Sequence, residues 1–251
     1  MTIRNSANIG YLLVGPYNLT SISTRLNVKT SDPVQETTGF GMSAATFAKP
    51  GVKRTELSGH ESFYDDAVYT TAAEMVALTE GEHVFMFAQQ GNTAGLKADC
   101  TGGLLYSGFD TQCEVGGMHK AALELVVSGA FDEAWIVVPL AQVTGNGNSE
   151  AAYIDMGAAG GGTTGGNAYL SCTQLALTGS TNLVVTLEDS ADHSTWADHT
   201  VFTALTAAGA EKKVATDLTV NRYLAVKRAW TGLAGTPTAT FTVAFKTNAP
   251  H

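Results

Sequence analysis

The chain has 251 residues, of which 44% are hydrophobic and 15% charged, enough to bury a sizeable core and too apolar for disorder throughout. Its formal net charge of −9 argues against a grip on nucleic acid, which needs Lys and Arg against phosphates. Cys100, Cys113 and Cys172 are odd in number, widely spaced and without C-x-x-C, which fits neither a disulfide framework nor a zinc site.

At the N-terminus, "MTIRNSANIGYLLVGPYNLTS" carries one short apolar run before Gly15-Pro16. It is too brief for a membrane span, and no cleavage site of small residues follows an apolar segment. The expectation is a protein without a membrane partner, acting where it is made or travelling inside an assembly. Next, "ELSGHESFY" (56–64) reads as a strand. "DDAVYTTAAEMVAL" (65–78) then changes period: Val68, Ala72, Met75 and Val76 fall on one helical stripe. Further strands are expected in "HVFMFAQQ" (83–90) and in "KAALELVVSGAFDEAWIVVPLAQV" (120–143), the latter broken near Gly129 and Asp132.

The Gly- and Asn-rich "TGNGNSE" (144–150) suggests a boundary near 147, dividing the chain into 1–147 and 148–251. Beyond it, "AAYIDM" (151–156) reads as a strand and "GAAGGGTTGG" (157–166) as a loop. Strands then follow in "AYLSCTQLAL" (168–177), "NLVVTLEDS" (182–190), "HTVFTALT" (199–206), "EKKVATDL" (211–218), "NRYLAVKRAW" (221–230) and "TATFTVAFK" (238–246). The last alternates cleanly, with Phe241, Val243 and Phe245 on one face. Several short strands bounded by turn residues predict a mainly-β protein: a first domain of sheet with one helix, then a two-sheet sandwich or jelly roll.

Three stretches invite a chemical reading. "GHESFYDD" (59–66) gathers His60, Glu61, Asp65 and Asp66. In a strand His60 and Glu61 point to opposite faces, Leu57, Gly59, Glu61 and Phe63 sharing one and Ser58, His60, Ser62 and Tyr64 the other. The pair therefore cannot grip one ion without a bulge, and H-E-x-x-H is absent. Asp65 and Asp66 instead suit the start of the following helix, where carboxylates meet free N–H groups. "GAAGGGTTGG" lacks the G-K-[ST] ending of a phosphate loop, and a strand rather than a helix follows it. "EDSADHSTWADH" (188–199) sets Glu188, Asp189, Asp192, His193, Asp198 and His199 around Trp196. The calcium-loop spacing is missing, so a hairpin turn with a packed Trp is the first reading, and an ion held by the carboxylates or a glycan stacked on Trp196 the second. No catalytic, cofactor or metal residue is assigned.

"ETTGFGMSAATFAKPGVKRTELSGHESFYDD" (36–66) is similar to a stretch of the tail tube (major tail) proteins of long-tailed bacteriophages. Thr38, Phe40, Gly41 and Ser43 match that family's turn, Pro50 and Gly51 its hairpin, and Ser58, Gly59, Asp65 and Asp66 its strand end. "GMHKAALELVVSGAFDEAWIVVPLA" (117–141) resembles its closing strands, and 151–247 resembles a β-sandwich module often appended to phage tail proteins. His60 and Glu61 stand where that family carries more neutral residues.

The resemblance implies a tail-tube-like β-barrel or sandwich for 1–147 and an outer, jelly-roll or Ig-like β-sandwich for 148–251. It places them in hexameric rings stacked into a tube, with viral DNA passing the lumen without specific binding. It also implies tape-measure, tail terminator and distal tail proteins as partners, and a place in the virion tail after assembly in the host cytoplasm. Glu61 is then a candidate assembly contact. The alternative is a decoration or baseplate protein whose second domain holds glycans through Trp196.

Overall fold

The structure, a computed structural model, describes residues 9–21, 23–31, 35–36, 47–48, 54–63, 81–112, 120–129, 131–157, 165–215 and 219–248. The helix expected over 65–78, the aspartates at its start, Cys113, the 38–43 turn and Pro50-Gly51 lie outside them, as does 158–164 of the Gly-rich loop.

The strands, in chain order, are β1 (Tyr11–Val14), β2 (Tyr17–Asn18), β3 (Ser23–Ser31), β4 (Gln35–Glu36), β5 (Phe47–Ala48), β6 (Arg54–Phe63), β7 (Glu82–Ala88), β8 (Lys97–Gln112) and β9 (Lys120–Val127). There follow β10 (Asp132–Thr144), β11 (Gly147–Asn148), β12 (Ile154–Asp155), β13 (Gly166–Ala176), β14 (Asn182–Ser190), β15 (Ala197–Val201), β16 (Gly209–Val214), β17 (Tyr223–Thr231) and β18 (Thr238–Thr247). A 3-10 turn at Glu150–Ala152 is the single helical element among the described residues. The mainly-β sandwich read from the sequence is the architecture found.

Two compact units emerge, and neither respects position 147. The first comprises Met1–Ser21, Gly81–Leu104 and Gly129–His251; the second, Ile22–Glu80 and Leu105–Ser128. In the first unit, β16, β13, β18, β10, β8, β7, β1 and β2 follow one another in one sheet. β11, β17, β14 and β15 form a second sheet, with β12 beside β17. The sandwich core between them takes Leu170 and Cys172 from β13, Phe241, Val243 and Phe245 from β18, and Leu183, Val185 and Leu187 from β14, with Leu224, Val226 and Trp230 from β17.

The other face of the large sheet is also covered. Tyr11, Leu13, Met86, Ala98, Ala134, Ile136, Tyr169 and Ala244 form a second core. Across it the Thr242 hydroxyl donates to the Val138 carbonyl at 2.7 Å, and Ser171 Oγ donates to the Gly15 carbonyl at 2.8 Å.

That second core explains why the boundary at 147 fails. The large residues of "TATFTVAFK" line one face as expected, but Thr242 and Ala244 on the other are small enough to accept a second layer and are fully buried. β10, which precedes 147, pairs with β18 from Trp135↔Phe245 to Thr144↔Thr238. The "TGNGNSE" stretch is a turn anchored to β17. The Gly145 carbonyl accepts from Trp230 Nε1 at 2.9 Å, and Asn146 Oδ1 accepts from the Trp230 backbone N–H at 2.7 Å.

In the second unit β3 pairs with β6, β6 with β9, and β9 with β8. Leu57, Leu123 and Leu125 are buried there.

Candidate functional site

The opening candidate, His60 and Glu61, resolves into two separate structural roles. The β3–β6 register slips between Ser23↔Ser62, Arg25↔Glu61 and Asn27↔Ser58, so bulges interrupt the ladder at this point. Strict alternation would set Leu57 on the face opposite His60; instead Leu57 and His60 are both buried while Ser58 is exposed. The four-and-four division of faces expected for 57–64 therefore breaks at the bulge.

His60 is held at both ring nitrogens. The Leu123 backbone N–H donates to Nδ1 at 3.3 Å, so Nδ1 is the acceptor and Nε2 carries the proton toward Ser23 Oγ at 2.9 Å. Burial pushes the imidazole down to about 4, with Glu61 opposing weakly. A neutral ring that bridges β3, β6 and β9 is a structural clamp. Glu61 turns to solvent, its Oε1 3.4 Å from Arg25 Nη1, with both side chains substantially exposed.

The other candidate is the turn between β14 and β15. Asp192 organises it: its Oδ1 accepts from the backbone N–H groups of Ser194 at 2.9 Å and Thr195 at 2.8 Å, and from Ser190 Oγ at 3.0 Å. These bonds, the Thr195 amide first, hold its carboxyl well below the usual range. This is the Asp-capped hairpin turn read from the sequence. His193 follows with φ of 49°, the one non-glycine residue with positive φ among those described. That conformation costs a non-glycine residue about 1 kcal/mol, His being among the more tolerant types.

The remaining polar residues of "EDSADHSTWADH" do not converge. Lys227 Nζ donates to Glu188 Oε1 at 3.0 Å and Asp198 Oδ1 at 2.5 Å, while Asp189 Oδ2 accepts from the Asn221 N–H at 2.7 Å. His199 lies buried edge-on to Phe245. No group of three or more His, Cys, Asp or Glu side chains among the described residues is placed to hold a metal.

What gathers around Trp196 is aromatic. The imidazole of His193 stacks on Tyr153 with centroids 5.3 Å apart and planes 13° apart. Tyr223 stands edge-on to both, at 5.2 Å from each. Trp196 tilts against Tyr153 at 6.3 Å. Tyr153 and His193 are exposed; Trp196 and Tyr223 are half-buried.

A fixed polar fork flanks the rings. Arg222 Nε and Nη2 donate to the two oxygens of Asp155 at 2.7 and 2.6 Å, and the guanidinium lies 5.0 Å from the Tyr223 centroid. The Arg222 bonds first, then the Gly157 amide, bring the Asp155 carboxyl down to about 2. The sequence nominated Trp196 alone. Tyr153, Asp155, Arg222 and Tyr223 arrive through the β12–β17 register, Ile154↔Leu224 and Asp155↔Tyr223, which no local spacing announces.

No protein-family model matches the chain, and no curated protein matches it. No helix among the described residues is long and apolar enough to cross a membrane.

Proposed function

We propose that this chain is a structural subunit of a bacteriophage tail tube, joining copies of itself into stacked rings around a DNA channel. The observation that carries the reading is the nine-residue strand β3, which among the described residues pairs with β6 alone. Among the described residues its other edge is unpaired, and an open strand edge of that length is a template for a strand of another chain that ring closure removes. The order of the tail-tube-like motifs along the sequence supports the same reading. An acidic chain also suits a conduit that DNA must pass without sticking.

In this reading the exposed Arg25–Glu61 pair on β3 and β6 is the polar contact offered to a neighbouring copy. The test is location: antibody against the chain should decorate the length of the tail in the particle that carries it, and electron microscopy of concentrated protein should show rings or tubes. Labelling confined to the head or baseplate refutes the proposal.

A further inference from the structure

We infer that the outward face of the Tyr153–His193–Trp196–Tyr223 cluster is a binding platform for neutral pyranose sugars, with the Asp155–Arg222 fork as its polar partner. The inference stands apart from the tube reading, since it rests on the first unit alone.

Three observations converge on it. The first is exposure: Tyr153 and His193 present ring surface to solvent although Trp196 and Tyr223 lie beside them to pack against. The apolar C–H face of a pyranose stacks on such surfaces, while its hydroxyls need fixed donors and acceptors nearby. The second is the fork, whose carboxylate and guanidinium are locked to each other and can receive hydroxyl groups without reorganising.

The third is His193 itself. The turn needs a left-handed residue at that position, and glycine would satisfy it without strain. A ring stands there instead, laid flat on Tyr153. Strain kept at an exposed position is a pointer to use.

The geometry also separates sugars from other ligands of aromatic sites. A quaternary ammonium needs a cage, but these rings touch one another, with centroids 5.2–5.3 Å apart, and leave no room between them. Arg222 already lies against the Tyr223 ring. Nucleotides and acidic sugars would bring negative charge beside Asp155 and Asp192, where the one guanidinium is already neutralised.

The test uses the full chain against immobilised cello-, malto-, chito- and galacto-oligosaccharides, followed by calorimetric titration with whichever binds. Trp196→Ala and Tyr153→Ala should each weaken binding by about tenfold, the loss of one aromatic anchor. His193→Gly is the decisive variant, because it relieves the backbone while removing the ring. It should keep the wild-type melting temperature within a few degrees and still lose about fivefold in affinity. Absence of binding to all four classes overturns the inference. So does unaltered affinity in a folded His193→Gly protein, or a preference for single-stranded oligonucleotides over every neutral glycan.

Discussion

Acidification should loosen the second unit through His60, and the size of the effect follows from the burial of its ring. In the folded chain the ring titrates at about 4, against 6.5 when free. Between those values the unfolded chain binds a proton that the folded chain refuses, so stability rises with pH across this window and is lost on acidification. At pH 4.5 the difference amounts to about 2.5 kcal/mol relative to neutral pH, an order-of-magnitude figure from the linkage relation. The geometry gives the same sign. A proton on Nδ1 would face the Leu123 N–H, turning an acceptor into a second donor at 3.3 Å.

The assay compares urea unfolding at pH 7 and 4.5 for the wild-type chain and for His60→Gln, with exchange of the Leu123 amide as a local probe. Other carboxylates titrate in both proteins, so the quantity of interest is the difference between the two pH responses. His60→Gln should be less stable at pH 7, because one shorter amide cannot reproduce both ring bonds, and should lose most of the pH 4.5 penalty. Identical pH responses in the two proteins would refute the clamp. So would a nitrogen chemical shift placing the His60 proton on Nδ1 at pH 7.

Other expectations follow from single positions. Glu61→Gln should raise the concentration at which rings or tubes appear while leaving the monomer's stability within about 0.5 kcal/mol, as for an exposed ion pair; unchanged assembly would dismiss Glu61 as a subunit contact. Gly166→Ala should destabilise the first unit by about 2–3 kcal/mol in denaturant titration, since a Cβ there would overlap the Phe245 ring and the Lys246 carbonyl oxygen. Tyr169→Phe deletes the hydroxyl that donates to Asp132 Oδ2 at 2.5 Å inside a fully buried ring. It should cost about 1–2 kcal/mol, moderated because Asn167 still donates to that oxygen.

Strands with large alternating side chains and firm punctuation were readable from the sequence. β14 spans Asn182–Ser190, the bounds expected, and β18 extends its expected range by one residue. β9 and β10 separate around Gly129 as their sequence suggests. The sixteen-residue β8 went unread because Gly102, Gly103 and Gly108 interrupt its β-forming residues; its neighbours on either side hold it extended. β3 was also missed, since "STRLNVKTS" lacks a strong apolar alternation. Other expected strands are shorter than their sequence suggests. β15 ends at Val201, after which the Phe202 N–H to Val185 carbonyl bond and a Leu183↔Leu205 bridge continue the pairing. "AAYIDM" contributes a 3-10 turn and then just Ile154–Asp155.

The aromatic platform shows where local reading stops and pairing begins. The turn was legible because its mechanism is local: Asp192 bonds to amides two and three residues ahead, a contact that sequence order alone makes available. Trp196 could be nominated by the same logic, since it closes that turn. Its companions could not. Tyr153 and Tyr223 meet because β12 and β17 pair antiparallel with Asp155 opposite Tyr223, so a shift of one residue would send one ring to the other face. That register is fixed by the core, where Ile154 and Leu224 are buried as partners across the same two strands. The apolar pair inside therefore sets the aromatic pair outside. Ile154→Ala should accordingly disturb the platform without touching any of its rings. In a chain that still folds, His193 should lose the ring-current shift it receives from Tyr153, and an unchanged shift would show that the Asp155–Arg222 fork alone holds the register.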